Sequence, residues 1–194
     1  MNGRRWLVFA ATAVAVVQIA FLVSMIAGRA AVLRNGQEVM LSVEPVDPRD
    51  LLRGDYVMLT YNISRLPVGL LSESVEQDAP DANDRTVFVR LKADEDGIFQ
   101  PIGARYGEKL QSAPGEGEVD IRGQTRARRA PATQFIFVRY DIERFYVPEG
   151  EGKAIERDMR ERTFRMKVAV GSDGAAQIKS FHDGDTMLYA EPLY

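Results

Sequence analysis

The body of this chain is written twice, and that repetition limits the folds open to it more than any other feature. Residues 85–100 read RTVFVRLKADEDGIFQ and residues 162–177 read RTFRMKVAVGSDGAAQ. Arg85-Thr86 aligns with Arg162-Thr163, Asp96-Gly97 with Asp173-Gly174, and Gln100 with Gln177. Upstream, YVMLTYNISRL from Tyr56 lies over FIFVRYDIERF from Phe135, and Glu38-Val39-Met40-Leu41 over Glu118-Val119-Asp120-Ile121. Two copies about 80 residues apart are too few and too long for a solenoid. They predict units of about four strands that share one core, because a four-stranded half alone buries little apolar surface.

Residues 6–27, WLVFAATAVAVVQIAFLVSMIA, carry no charge and only Thr12, Gln18 and Ser24 as polar breaks. At 1.5 Å per residue such a run crosses a hydrocarbon core of about 30 Å. Arg4 and Arg5 precede it, which predicts an inside N-terminus and an exported C-terminal body. A cleaved signal peptide would have a shorter apolar region and a small-residue cleavage site. Gly28-Arg29-Ala30 is a poor match to such a site, so the anchor is expected to be retained. The expected organisation is a cytoplasmic tail at 1–5, an anchor at 6–27, a linker at 28–37 and an exported β domain at 38–194. That domain divides into repeats at 38–110 and 117–185.

Charge and composition narrow the chemistry. Of 25 basic residues, Arg4, Arg5 and Arg29 belong to the anchor region, leaving 22 against 28 acidic residues in the body. A nucleic-acid partner needs a basic footprint, so none is expected. The absence of cysteine excludes thiol chemistry and disulfides, and one histidine, His182, gives no support to a histidine-based triad. No cofactor or metal is expected.

Alternating apolar residues predict strands at 38–44, 56–63, 86–92 and 98–104, and again at 118–122, 135–147, 163–170 and 175–181. Asp94-Glu95-Asp96-Gly97 and Gly171-Ser172-Asp173-Gly174 read as hairpin turns. Residues 149–161 are the best soluble helix candidate, with a shorter counterpart at 70–77. The fold class is therefore mainly antiparallel β, built of internally duplicated four-stranded units with a short helix, behind one N-terminal transmembrane helix.

The copies differ most just before their second strand. Copy one has Asp47-Pro48-Arg49-Asp50-Leu51-Leu52-Arg53-Gly54-Asp55-Tyr56, dense in turn residues and paired charges. Copy two has a basic segment from Arg122 to Arg129. The string Gly54-Asp55-Tyr56-Val57-Met58-Leu59-Thr60-Tyr61 resembles the GDYxxLxY family of membrane-anchored bacterial proteins, and the DPRDLLRGDY context and lone anchor fit it over essentially the whole chain. The resemblance implies a companion of multi-pass membrane proteins in bacterial envelopes, with a single pass through the inner membrane and a periplasmic C-terminal domain.

Two readings of the motif stand side by side. As structure, Asp47, Arg49, Asp50, Arg53, Gly54 and Asp55 form turn chemistry that fixes how a strand enters a sheet. As a site, the three carboxylates and two guanidiniums bind an anionic group, a cation or a charged loop of a partner, the arginines counting against a cation. Tyr61 shares a face with Val57, Leu59 and Ile63 and reads as core, while Tyr56 falls on the opposite face. The leading functional expectation is a non-catalytic accessory or interaction module beside an integral, multi-pass membrane protein. The alternatives are a small-ligand binder at the turn from Asp47 to Tyr56 and a signal-peptidase-like hydrolase with Ser42 activated by Lys92. If the turn is structural first, Asp55→Ala lowers the melting temperature of the body, since unpaired backbone donors cost about 1–3 kcal/mol. Wild-type melting with lost partner or ligand binding would instead mark the turn as a site.

Overall fold

The computed structural model describes residues 2–44, 56–72, 84–126, 134–146 and 162–191. The chain opens with α1 (Asn2–Asn35), a single 34-residue helix. The stretch Trp6–Asn35 is long and apolar enough to cross a membrane. The expected linker at 28–37 is therefore helical through Asn35. Ala30, Ala31, Val32, Leu33 and Arg34 contain one β-branched residue and no proline, so little in their propensities ends the helix. Gly36 ends it: its N–H donates to the Val32 carbonyl at 2.8 Å.

Twelve strands follow among the described residues: β1 (Gln37–Glu44), β2 (Tyr56–Met58), β3 (Thr60–Tyr61), β4 (Arg65–Pro67), β5 (Asp84–Ala93), β6 (Phe99–Tyr106), β7 (Glu118–Arg126), β8 (Phe135–Arg139), β9 (Arg144–Tyr146), β10 (Phe164–Val170), β11 (Ala176–Asp183) and β12 (Thr186–Ala190). They form one sheet in the order β12-β11-β10-β1-β3, a second in the order β4-β8-β7-β5-β6, and a ribbon of β2 with β9. Every named strand pair is antiparallel. The body is thus mainly antiparallel β, as the alternation predicts. The helix candidate at 149–161 lies outside the described residues, and of its counterpart only a 3-10 turn at Val68–Leu70 is described.

The order of strands mixes the two halves of the chain. In the first sheet, β10 to β12 come from the second half and β1 and β3 from the first; the second sheet reverses the contributions. Registers correspond under the alignment read from the sequence. Glu38 pairs with Ala169, and Lys92 with Glu118. Val57 pairs with Phe145, and Leu66 with Ile136. Glu44 pairs with Thr60, and Gln124 with Arg139. Each hairpin turn also leans on the first strand of its own half: Met40 bridges Ile98, and the Arg122 N–H donates to the Gly174 carbonyl at 2.8 Å. Gly97 and Gly174 close these turns with φ of 74° and 83°, a region that glycine enters without a Cβ penalty.

The core follows from alternation. Val39, Leu41 and Val43 on β1, Val87, Val89 and Leu91 on β5, Val119 and Ile121 on β7, and Phe164, Met166 and Val168 on β10 are all buried. Two of the expected strands are interrupted. The chain at 56–63 leaves β9 for β1 at Leu59, whose N–H donates to the Glu143 carbonyl at 2.7 Å. It then turns through Asn62, Ile63 and Ser64, where the Ser64 hydroxyl accepts the Tyr61 N–H at 3.1 Å. The stretch at 135–147 turns at the matching place, with Asp141 at φ 62° and a Glu143 carboxylate oxygen accepting the Tyr140 N–H at 2.6 Å. Short polar side chains here offer the backbone a turn in place of a ladder.

Two tyrosines cross-link the halves. The buried Tyr61 hydroxyl donates to the Ile142 carbonyl at 2.6 Å, and the equally placed Tyr140 hydroxyl donates to the Ile63 carbonyl at 2.9 Å. Each thus satisfies a carbonyl in the other half's turn. Tyr61→Phe and Tyr140→Phe are each expected to cost about 1–2 kcal/mol, from the lost bond and the stranded carbonyl. Calorimetry should show one transition shifted down as a whole in both variants. Separate melting of two halves would contradict the interlock.

Candidate functional site

Glu44 at the end of β1 and Tyr56 at the start of β2 bracket the charged motif. Asp47, Arg49, Asp50, Arg53, Gly54 and Asp55 lie outside the described residues. The backbone of Tyr56 pairs with Tyr146 on β9. Leu59 is 2% exposed and Tyr61 fully buried, so the last two motif positions are core residues. Burial raises the Tyr61 phenol above its ordinary value and the Glu143 carboxylate raises it further, so the hydroxyl stays a neutral donor. The motif ends by pinning the crossover from β2 to β3, whatever its charged start does.

The β2–β9 ribbon and the β4–β8 pair are counterparts, and each shows an apolar side chain to solvent at the same aligned position. These are Met58 at 44% and Phe137 at 71% exposure. Tyr146 and Val68 are exposed as well. Arg65 lies over the Phe135 ring, 4.2 Å from its centroid, which attracts the cation to the ring face. Solvent-facing aromatic and thioether groups beside an arginine have the chemistry of a protein-contact surface.

A cleft of about 450 Å³ opens at the other end of β1, where α1 meets the body. Asn35, Gln37, Lys109, Glu118, Asp120 and Ser172 are among its lining residues, and the Lys109 ammonium donates to the Ser172 carbonyl across it. No group of three or more metal-ligating side chains occurs among the described residues.

The serine–lysine pair is not assembled. Ser42 lies on β1 in the first sheet, where its N–H donates to Asn62 Oδ1 at 3.1 Å. Lys92 lies on β5 in the second sheet, with its ammonium 3.8 Å from Glu118. A serine nucleophile needs its base within hydrogen-bond reach.

Two polar features were not read from the sequence. Arg90 is 5% exposed and grips Asp120 with two bonds, Nε to Oδ1 at 2.7 Å and an NH2 to Oδ2 at 2.9 Å. Its remaining donors hold the Ser112 hydroxyl at 2.8 Å and the Ser112 carbonyl at 2.7 Å, so the segment joining the halves is strapped over the second sheet. Arg90 and Asp120 alternate with core residues and so read as solvent-facing; the covering segment buries them. The signal available was their opposite charge at positions that pair once β5 and β7 are known to be neighbours.

His182 is 9% exposed, and its Nε2 lies 2.7 Å from the Ser180 hydroxyl. Burial lowers its pKa below the ordinary 6.5, nearby Lys167 and Arg165 lower it further, and Asp185 opposes them. A depressed histidine binds fewer protons folded than unfolded. Its stabilising contribution is therefore present above 6.5 and lost as pH falls through the folded value. Wild-type thermal stability should decline as pH falls below 6.5 more steeply than that of His182→Gln. Equal slopes would remove His182 as the titrating group.

No curated protein and no solved structure matches this sequence. A family model described as GDYXXLXY protein matches residues 18–181, spanning the later part of α1, the motif and both halves of the body. The chain belongs to the GDYXXLXY protein family.

Proposed function

We propose that this protein is a membrane-anchored, extracytoplasmic accessory module that presents its β body to an integral, multi-pass membrane protein. Arg4 and Arg5 before the apolar run support an inside N-terminus and an exported body. The body is best understood as two copies of one unit, in view of the matched registers and the reciprocal tyrosine bonds.

The observation that carries the reading is the rigid join of helix to core. Leu33 is 5% exposed, and Gly36 packs so closely that a Cβ there would lie 2.5 Å from the Val32 carbonyl and 3.0 Å from that of Val170. Val32 in turn touches the Gly171 backbone position, where a Cβ would meet its Cγ2 at 3.0 Å. Such a join fixes the height and tilt of the body above a membrane. Residues beyond 27 raise it by about 12 Å at 1.5 Å per residue. A diffusing small ligand has no need of a fixed height. A contact with a neighbouring membrane protein does, and the exposed side chains of Met58 and Phe137 are available to make it.

The test is to insert six Gly-Ser residues after Gly28, leaving the clamp intact. The isolated body should melt as in the wild type, while the full-length protein fails to complement a deletion strain. Full complementation would overturn the rigid-presentation reading and favour a body that acts wherever it is tethered.

A further inference from the structure

We infer that Gln18 is the contact by which α1 holds a transmembrane helix of the partner protein, seated in the membrane directly beneath the β body. The inference rests on the accessory reading above and names the partner's contacting element.

Three polar side chains interrupt the apolar run. The Thr12 hydroxyl donates to the Val8 carbonyl at 2.9 Å and the Ser24 hydroxyl to the Phe21 carbonyl at 2.7 Å, so both are satisfied within their own helix. Gln18 sits near the middle of the run, its side chain exposed and without a hydrogen-bond partner along the described chain. A primary amide carries two N–H donors and an acceptor. In hydrocarbon no water is present to meet them, so the amide is costly unless another helix supplies the partner.

The direction of Gln18 identifies the side on which that helix lies. Val32 and Leu33 are 14 and 15 residues further along α1, close to four turns at about 3.6 residues per turn, so they flank the direction of Gln18 roughly 22 Å higher. They are also the helix residues that meet the body, Leu33 by burial and Val32 at Gly171. The body therefore overhangs the Gln18 face. Ala11 and Ala15 share that face, and their small side chains allow close approach of a second backbone.

The overhang selects the occupant. A second copy, parallel and joined through the same face, would bring its own body into the volume already filled. A helix that ends at the membrane surface in a short loop fits beneath. The occupant is thus a helix of a different protein, presenting an amide, a hydroxyl or a protonated carboxyl at mid-bilayer depth.

Photo-crosslinking in native membranes tests this with the full-length protein. A photoreactive residue replaces Leu22, on the Gln18 face, or Ala20, on the opposite one; a third probe replaces Phe137 on the body. The expected result is a discrete adduct from position 22 that is not twice the chain's mass, little from position 20, and a fall of about five-fold in the position-22 adduct in Gln18→Leu. Gln18→Asn should retain most of it. Leucine is compatible with insertion, and alkaline extraction verifies that Gln18→Leu remains integral. An adduct of twice the chain's mass would make a second copy the occupant and overturn the inference. So would adducts indifferent to the face or to Gln18→Leu. An adduct from position 137 without one from position 22 would sink this inference and leave the accessory reading standing. No adduct from either would remove both.

Discussion

The exchange of hydrogen bonds between Tyr61 and Tyr140 is the constraint on which the rest of the body depends. Each hydroxyl ends on the carbonyl of the isoleucine two residues past the other tyrosine, Ile142 and Ile63, inside the turn that sends the chain from one pairing partner to the next. Those turns let β2 and β9, and β4 and β8, join across the halves. Without them each half would hold a hairpin with unpaired edges, and exposed edges invite pairing with other chains. The interlock makes one core of two short units, which is why a body of modest size has so many residues with no exposure at all.

The two halves spend equivalent positions differently. Phe145, Phe164 and Phe181 cluster at one end of the core, with Phe164 and Phe181 stacked at a centroid distance of 5.1 Å and Phe145 5.3 Å from Phe181. Their aligned counterparts are Leu66, Val87 and Ala104, all fully buried. The lost volume there is met by Leu70 and Leu71, which pack against the core from the 3-10 turn. Likewise Arg90 lies under the joining segment and bonded to Asp120, whereas its counterpart Lys167 stays nearer the surface, 3.5 Å from Glu38. The departures occur where the surrounding chain differs, so packing context explains them better than any difference in the strands.

Most of the architecture was legible because alternation in strands has a period of two. The β5–β6 and β10–β11 hairpins, the buried faces of β1 and β10, and the core placement of Leu59 and Tyr61 all follow from that pattern. The pairing between halves did not follow, because a repeat is compatible with two adjacent units as well as with exchanged ones. The turns at Asn62–Ser64 and Asp141–Glu143 were passed over because Ile63 and Ile142 keep the apolar rhythm through them. The apolar run ends before the helix does, so the helical character of residues 28–35 could not be read from hydropathy. Of the candidate site, only Tyr56, Leu59 and Tyr61 can be placed, and the last two by the same burial rule that located the core.

The sharing of strands between halves also sets an order in time. Gln37 at the start of β1 is laid against Val170, more than a hundred residues later in the chain. As the polypeptide emerges during synthesis, β5 and β6 can close as a hairpin and β3 can reach the Val43–Glu44 end of β1, but the rest of β1 has no ladder partner until β10 has appeared. Contacts so distant in sequence form late and slowly. Until then most of β1 stands unpaired at the end of a helix long and apolar enough to cross a membrane, the segment of this chain most exposed to wrong pairing and the one a chaperone would have most reason to cover.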